Sequence, residues 1–215
     1  MRGTEWTTPH WVVQLQCMAI SCPECGREYD VTLFEFGRTI HCACGARVGM
    51  EKRLGPRVTA GEPRFFADAM LGGLARWLRI LGFDTAYDPH IADEDLVRRA
   101  LAEGRHILTR DRRLPAEWRV NPCTLVEASD ADKQLREVVE AFDLVDRIRL
   151  FFRCTLCNTP LEPIPGEEAR KRVPPRVMEH HDSFSRCPEC DQVYWEGSHT
   201  RRMRDRLNEI LGGRG

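Results

Sequence analysis

The sequence predicts an α/β fold, a parallel sheet flanked by helices, with a small cysteine-built module at each end. Three observations predict it. Apolar runs at 64–67, 85–87 and 106–109 are short enough to be strands, and the stretches between them have helical spacing. Strand–helix–strand–helix–strand favours parallel strands covered by helices. The ten cysteines fall mostly into close pairs on either side of that block.

Residues 1–16 carry Trp6 and Trp11 with little pattern and read as a leader, or as sequence upstream of a start at Met18. Cys22-x2-Cys25 and Cys42-x-Cys44 follow, joined by a predicted hairpin of 29–36 and 38–40 with Gly37 at its turn. Two cysteine knuckles joined by a hairpin describe a zinc ribbon. Tetrahedral zinc takes four soft ligands, and so small a module has no core to hold it otherwise. A redox dithiol and unliganded cysteines are the other readings, and His41 or Cys17 could stand in for a ligand. Gly55, Pro56, Gly61 and Pro63 mark a linker.

In the central block, Met70, Leu71, Leu74, Trp77, Leu78 and Leu81 line one face of a helix. Leu96, Val97, Ala100 and Leu101 repeat the pattern. Gly82 and Gly104 stand just past the two helices, where a left-handed residue is wanted. Residues 112–118, with Pro115, read as a polar loop and 123–126 as a fourth strand. Residues 131–142 read as a helix capped by Asp130.

Cys154-x2-Cys157 and Cys187-x2-Cys190 form a second four-thiolate set with strong zinc spacing. The proline-rich insert between these pairs reads as loop, with His180 and His181 solvated. Ser198 is placed to cap a final basic helix. The division expected is 1–61 (leader, ribbon and linker), 62–149 (sheet domain) and 150–215 (second ribbon and basic helix).

A net charge of −1 gives no global pull toward nucleic acid. No apolar run approaches a membrane span and the first twenty residues lack a signal pattern, so a cytoplasmic protein without membrane attachment is expected. The cations are nearly all Arg; Arg98, Arg99, Arg105, Arg110, Arg112, Arg113 and Arg119 cluster around the third strand. Arg suits bidentate phosphate contacts, and GC-rich codon usage is the plainer explanation.

Three acids fall where a parallel sheet presents its chemistry. Asp68 follows the first strand, Asp111 follows the third, and Asp93 opens the second helix. Converging carboxylates hold Mg²⁺ or Mn²⁺, which retain waters that substrate phosphates displace. Taken singly, each aspartate has a structural role open to it. Asp68 and Asp93 could cap helices, and Asp111 could bond within its turn.

The segments FADAMLGGLARWLRILGFDT, GRHILTRDRRL, FFRCTLCNTPL and YWEGSHTRRM resemble the Mut7-C RNase domain family, a branch of the PIN-like nucleases, from about Arg64 to Met203. Asp93, Ala100, Gly104 and Thr109-Arg110-Asp111 resemble the PIN pattern more widely, and Asp68 the acid ending its first strand. The resemblance implies a PIN-like sheet and a metal-dependent ribonuclease with catalytic Asp68, Asp93 and Asp111. It also implies a C-terminal zinc ribbon; the N-terminal one lies outside the match. With RNA as partner, Arg76, Arg110, Arg112, Arg113, Trp195, His199, Arg201 and Arg202 are the candidate contacts. PIN domains usually carry a further acid between the first two; only Asp84 and Asp88 stand there, both poor matches. A non-catalytic RNA- or ribosome-binding module with a degenerate site is the alternative.

Overall fold

A computed structural model describes residues 19–50 and 61–212. The expected leader, Cys17 and most of the linker lie outside them. Strands β1 (Ala19–Ser21) and β2 (Glu28–Asp30) pair antiparallel across the first cysteine knuckle. After a 3-10 stretch, Val31–Gly37, β3 (Ile40–His41) and β4 (Arg47–Val48) pair across the second.

The single hairpin expected at 29–40 is therefore replaced by two short ones. The Asp30 carboxylate accepts from the Thr32 N–H at 2.8 Å and its hydroxyl at 2.7 Å, which starts a helical turn where strand was expected. Phe34 then fills the ribbon's own core, while Phe36 packs outward against the sheet domain.

The central block contains β5 (Phe65–Ala67), a 3-10 turn (Ala69–Leu71), α1 (Gly72–Ile80), β6 (Thr85–Tyr87), α2 (Asp93–Glu103), β7 (His106–Thr109), α3 (Leu114–Glu117), β8 (Cys123–Leu125) and α4 (Ala131–Ala141). The four strands are all parallel, in the order β6-β5-β7-β8. Neighbouring residues of β5 serve opposite faces, as strand geometry requires. Phe65 joins Leu74, Leu78, Leu135, Val138 and Leu207 on one side. Phe66 joins Leu96, Val97, Leu114 and Trp118 on the other. Burial of each ring contributes roughly 1.5–3 kcal/mol.

The expected helix at 131–142 forms with Asp130 as its cap, accepting from Lys133 N–H at 3.0 Å. The expected loop at 112–118 instead holds α3, with Pro115 in its first turn, where a missing N–H costs nothing.

The C-terminal part adds β9 (Glu162–Ile164), α5 (Gly166–Arg170), α6 (Pro175–Met178), β10 (Phe184–Arg186), β11 (Val193–Trp195) and α7 (Ser198–Leu211). Strands β11-β10-β9 form an antiparallel sheet. The insert read as loop is thus built of short elements around Ala169, Val173, Phe184 and Val193, four buried residues scattered among many charges. Ser198 is the first residue of α7 rather than its cap, a position held by Gly197. No helix among the described residues is long and apolar enough to cross a membrane.

Candidate functional site

The chain runs from β5 to β6 on one side and then crosses back to β7 on the other. The carboxyl ends of β5 and β7 therefore flank a topological switch point, the crevice where open α/β sheets bind ligands. Asp68 leaves β5 there and Asp111 leaves β7.

Thr109, the last residue of β7, is fully buried and joins them. Its hydroxyl donates to Asp68 Oδ2 at 2.6 Å and accepts from the Asp111 N–H at 2.9 Å. Asp68 is 6% exposed and its backbone N–H donates to the Leu108 carbonyl at 2.9 Å. Asp68 makes no side-chain capping bond although it stands at a cap position, and the cap of α2 is Ala92, not Asp93. The turn role does hold for Asp111, whose Oδ1 accepts from the Arg113 N–H at 2.8 Å.

Asp93 is half-buried in the first turn of α2, near enough to Asp68 and Asp111 to feel their charges. Burial raises its carboxyl above the usual carboxylate range, and the charges of Asp68, Asp111 and Glu117 raise it further against the opposing pull of Arg113. Like charges collected around a half-buried carboxyl, with only hard oxygen donors, suit a hard divalent cation. Among the described residues, only the two cysteine quartets bring three or more ligand atoms within 4.8 Å of one another. Asp68, Asp93 and Asp111 do not form such a group.

Glu117, exposed on α3, also acts on Asp93 through its charge, and the sequence did not single it out. The two acids that stand between Asp68 and Asp93 in the sequence have other work. Asp84 precedes β6, at the amino end of the sheet and away from the other acids. It accepts from Arg105 Nη1 at 2.5 Å, Asn158 Nδ2 at 2.7 Å and Arg64 Nε at 3.1 Å. Burial opposes its ionisation, but the bonds from Arg105 and Asn158 and the charges of Arg105 and Arg153 prevail and lower its pKa. Asp88 accepts from the His90 N–H within a turn.

Each cysteine quartet closes on itself. Sulfur separations are 3.6 Å for Cys22–Cys44 and 3.4 Å for Cys25–Cys42, then 3.6 Å for Cys154–Cys190 and 3.3 Å for Cys157–Cys187. A disulfide needs about 2.05 Å. Tetrahedral zinc with Zn–S near 2.3 Å sets sulfurs about 3.8 Å apart, so either quartet could hold zinc. His41 is exposed and not in the first quartet. All four knuckles repeat one turn: the residue four after the leading cysteine, or three in the shorter second knuckle, donates its N–H to that cysteine's carbonyl. Gly26, Gly45, Asn158 and Asp191 fill that position, all at positive φ.

The candidate RNA contacts divide into two groups. Arg110, Arg112 and Arg113 follow β7 beside the acids; Arg112 is paired with Glu127 at 2.8 Å and Arg113 lies 3.6 Å from Asp111. Arg76, Trp195 and His199 line a cleft of about 650 Å³ between α1, α7 and the C-terminal ribbon, together with Arg176, His180 and His181. Arg202 lines an adjoining hollow with Arg76 and His199. Arg201 is exposed on the same helix but lines neither. Neither hollow includes the three aspartates.

Fold and site thus define an α/β protein with an acid-lined switch point, braced by two four-cysteine modules. The family model of the Mut7-C RNAse domain matches residues 63–207, and the chain belongs to that family. The N-terminal ribbon lies outside the matched residues. The human protein Exonuclease mut-7 homolog is 32% identical over 120 residues. That match covers 52% of this chain and 13% of the human protein, so the chain spans only a small part of that relative. No solved structure matches.

Proposed function

We propose that the chain is a ribonuclease that hydrolyses RNA phosphodiester bonds, with Mg²⁺ or Mn²⁺ held by Asp68, Asp93 and Asp111. The observation that carries this reading is the Thr109 hydroxyl bridging two strand-end acids at the switch point, with Asp93 sharing their charge. Family membership agrees with it. A bound divalent ion would activate water and offset charge on the leaving oxygen. The chain's own part is to fix the carboxylates. Thr109 orients Asp68 and sets the turn at Asp111, and α2 carries Asp93 in its first turn. Arg110 and Arg113, flanking Asp111, are suited to the phosphates on either side of the scissile bond. We further propose that each cysteine quartet holds structural zinc.

The test compares wild type with Asp68→Asn on single-stranded RNA with Mg²⁺, Mn²⁺ or chelator. Asn can still accept from Thr109 but lacks the charge. Cleavage should fall by about two orders of magnitude or more, the scale of losing a main electrostatic stabiliser, with zinc content unchanged. Equal cleavage by the two proteins, or cleavage that survives chelation, would defeat the proposal.

A second reading, RNA or ribosome binding without cleavage, is favoured by the cleft, since Arg76, Trp195 and His199 could grip a strand without the acids. A wild type that binds RNA but never cuts it under either ion would decide for this reading.

A further inference from the structure

We propose that the cleft between α1, α7 and the C-terminal ribbon takes one unpaired nucleotide, with the base against Trp195 and the phosphate at Arg76 and Arg176. The inference rests on the RNA-binding reading of that cleft, names the unit it holds, and needs neither the acids nor a cation.

The cleft joins two chemistries. Its volume of about 650 Å³ is that of a site enclosing a small organic molecule. Part of its lining is apolar, with Ile80, Phe151 and Met203 among the residues there. Trp195 is half-buried; it packs against the ribbon core of Phe184 and Val193 and still lines the cleft. Its indole N–H has no partner among the described residues. A base brings a flat face that stacks on such a ring. The Tyr194 hydroxyl is already engaged, 3.1 Å from Cys154 Sγ and accepting from the Thr155 N–H at 3.3 Å.

Charge selects an anion for the other end of the ligand. Arg76 and Arg176 line the cleft and have no carboxylate partner among the described residues. By contrast, Arg204 and Arg206 on α7 are paired with Glu196 and Asp132, each at 2.8 Å. Glu196 is the one acid among the residues lining the cleft, and Arg204 offsets it. Two unpaired guanidinium groups in one hollow leave a positive field suited to phosphate. The histidines add edge contacts. Arg202 donates to His199 Nδ1 at 3.2 Å, so a neutral His199 carries its proton on Nε2 and is a donor there. His180 has the opposite form: Nδ1 donates to the Arg176 carbonyl at 2.8 Å, and Nε2 is left to accept. In a duplex the faces and edges of a base are already taken up, so the occupant is unpaired.

The experiment is isothermal titration calorimetry on the full chain, without added Mg²⁺ or Mn²⁺, using adenosine monophosphate, adenosine and inorganic phosphate. The monophosphate should bind about tenfold or more tightly than either part. Arg76→Gln should weaken it by about tenfold, the scale of a hydrogen bond to a charged group, and leave adenosine unchanged. Trp195→Ala should weaken both by about tenfold, the scale of one lost stacking contact, and Trp195→Phe should restore most of the loss. Arg170→Gln removes an exposed charge outside the cleft and should change neither. Arg76 is exposed on α1, so its variant decides the matter if Trp195→Ala fails to fold. Oligoadenylate should displace the monophosphate, and the same strand paired with oligouridylate should not. A monophosphate that oligoadenylate cannot displace would keep the nucleotide site and overturn RNA as its source. No binding of the monophosphate, or binding untouched by Arg76→Gln, would overturn the proposal. Oligoadenylate bound by a chain that takes no monophosphate would leave the RNA reading standing without this site.

Discussion

Thr109 is the residue on which the two strand-end acids depend. It is wholly buried, and one hydroxyl serves both Asp68 and the turn at Asp111. Thr109→Val keeps the shape and removes both bonds, leaving a buried carboxylate short of a donor. Stability should fall by about 1–2 kcal/mol, and cleavage by about tenfold or more as Asp68 loses its orientation. Thr109→Ser should restore most of both, measured by urea unfolding and RNA cleavage. Cleavage equal to wild type in the Val variant would show that Asp68 needs no orienting. The positions of the three aspartates were legible in the sequence, because each stands at a strand end or a helix start. Glu117 was not, because the PIN pattern places a further acid between the first two and Glu117 follows the third. Leu-Pro-Ala-Glu was a usable signal, with Pro in the first turn of a helix ending in an acid.

At the scale of elements, the parallel strands and long helices could be read from periodicity, since their two core faces impose it. The short elements could not. Their positions are set by cysteine quartets and by contacts distant in sequence, which local pattern does not carry. The first knuckle of the C-terminal ribbon shows the coupling. Buried Arg79 on α1 donates to the Leu156 carbonyl at 2.7 Å and the Thr155 carbonyl at 3.2 Å, and Asn158 Oδ1 accepts from the Thr85 N–H at 2.9 Å. The ribbon therefore braces the amino end of β6, opposite the acids. With zinc in both quartets, elemental analysis should give about two zinc ions per chain. Cys187→Ser should give about one and lower the melting temperature of the whole sheet domain, because Arg79 loses its ordered acceptors. Two zincs retained in that variant, or a melt unchanged after the loss, would contradict this role.

Across the whole molecule, the two ribbons serve opposite ends of one sheet. The N-terminal ribbon sits against α3 near the acids, and the C-terminal one against the start of β6. On the ribonuclease proposal, a strand of RNA lying across the acidic site would meet Arg110 and Arg113, and the cleft of Arg76, Trp195 and His199 would be a separate hold along α1. Phosphate contacts release counterions, so log affinity should fall linearly with log salt. Replacing Arg76 and Arg202 together with Ala should reduce that slope by about 1–2. A slope unchanged in the double variant would remove the cleft from the binding surface. The central claim is that Asp68, Asp93 and Asp111 jointly hold a divalent cation at the switch point. Its most direct test is the anomalous signal of crystals soaked in Mn²⁺. The account predicts a peak between the carboxyl ends of β5 and β7, within about 2.5 Å of a carboxylate oxygen of Asp68 or Asp111 and absent in Asp68→Asn. No peak there in a well-soaked wild-type crystal, or a peak of equal height in the variant, would contradict it.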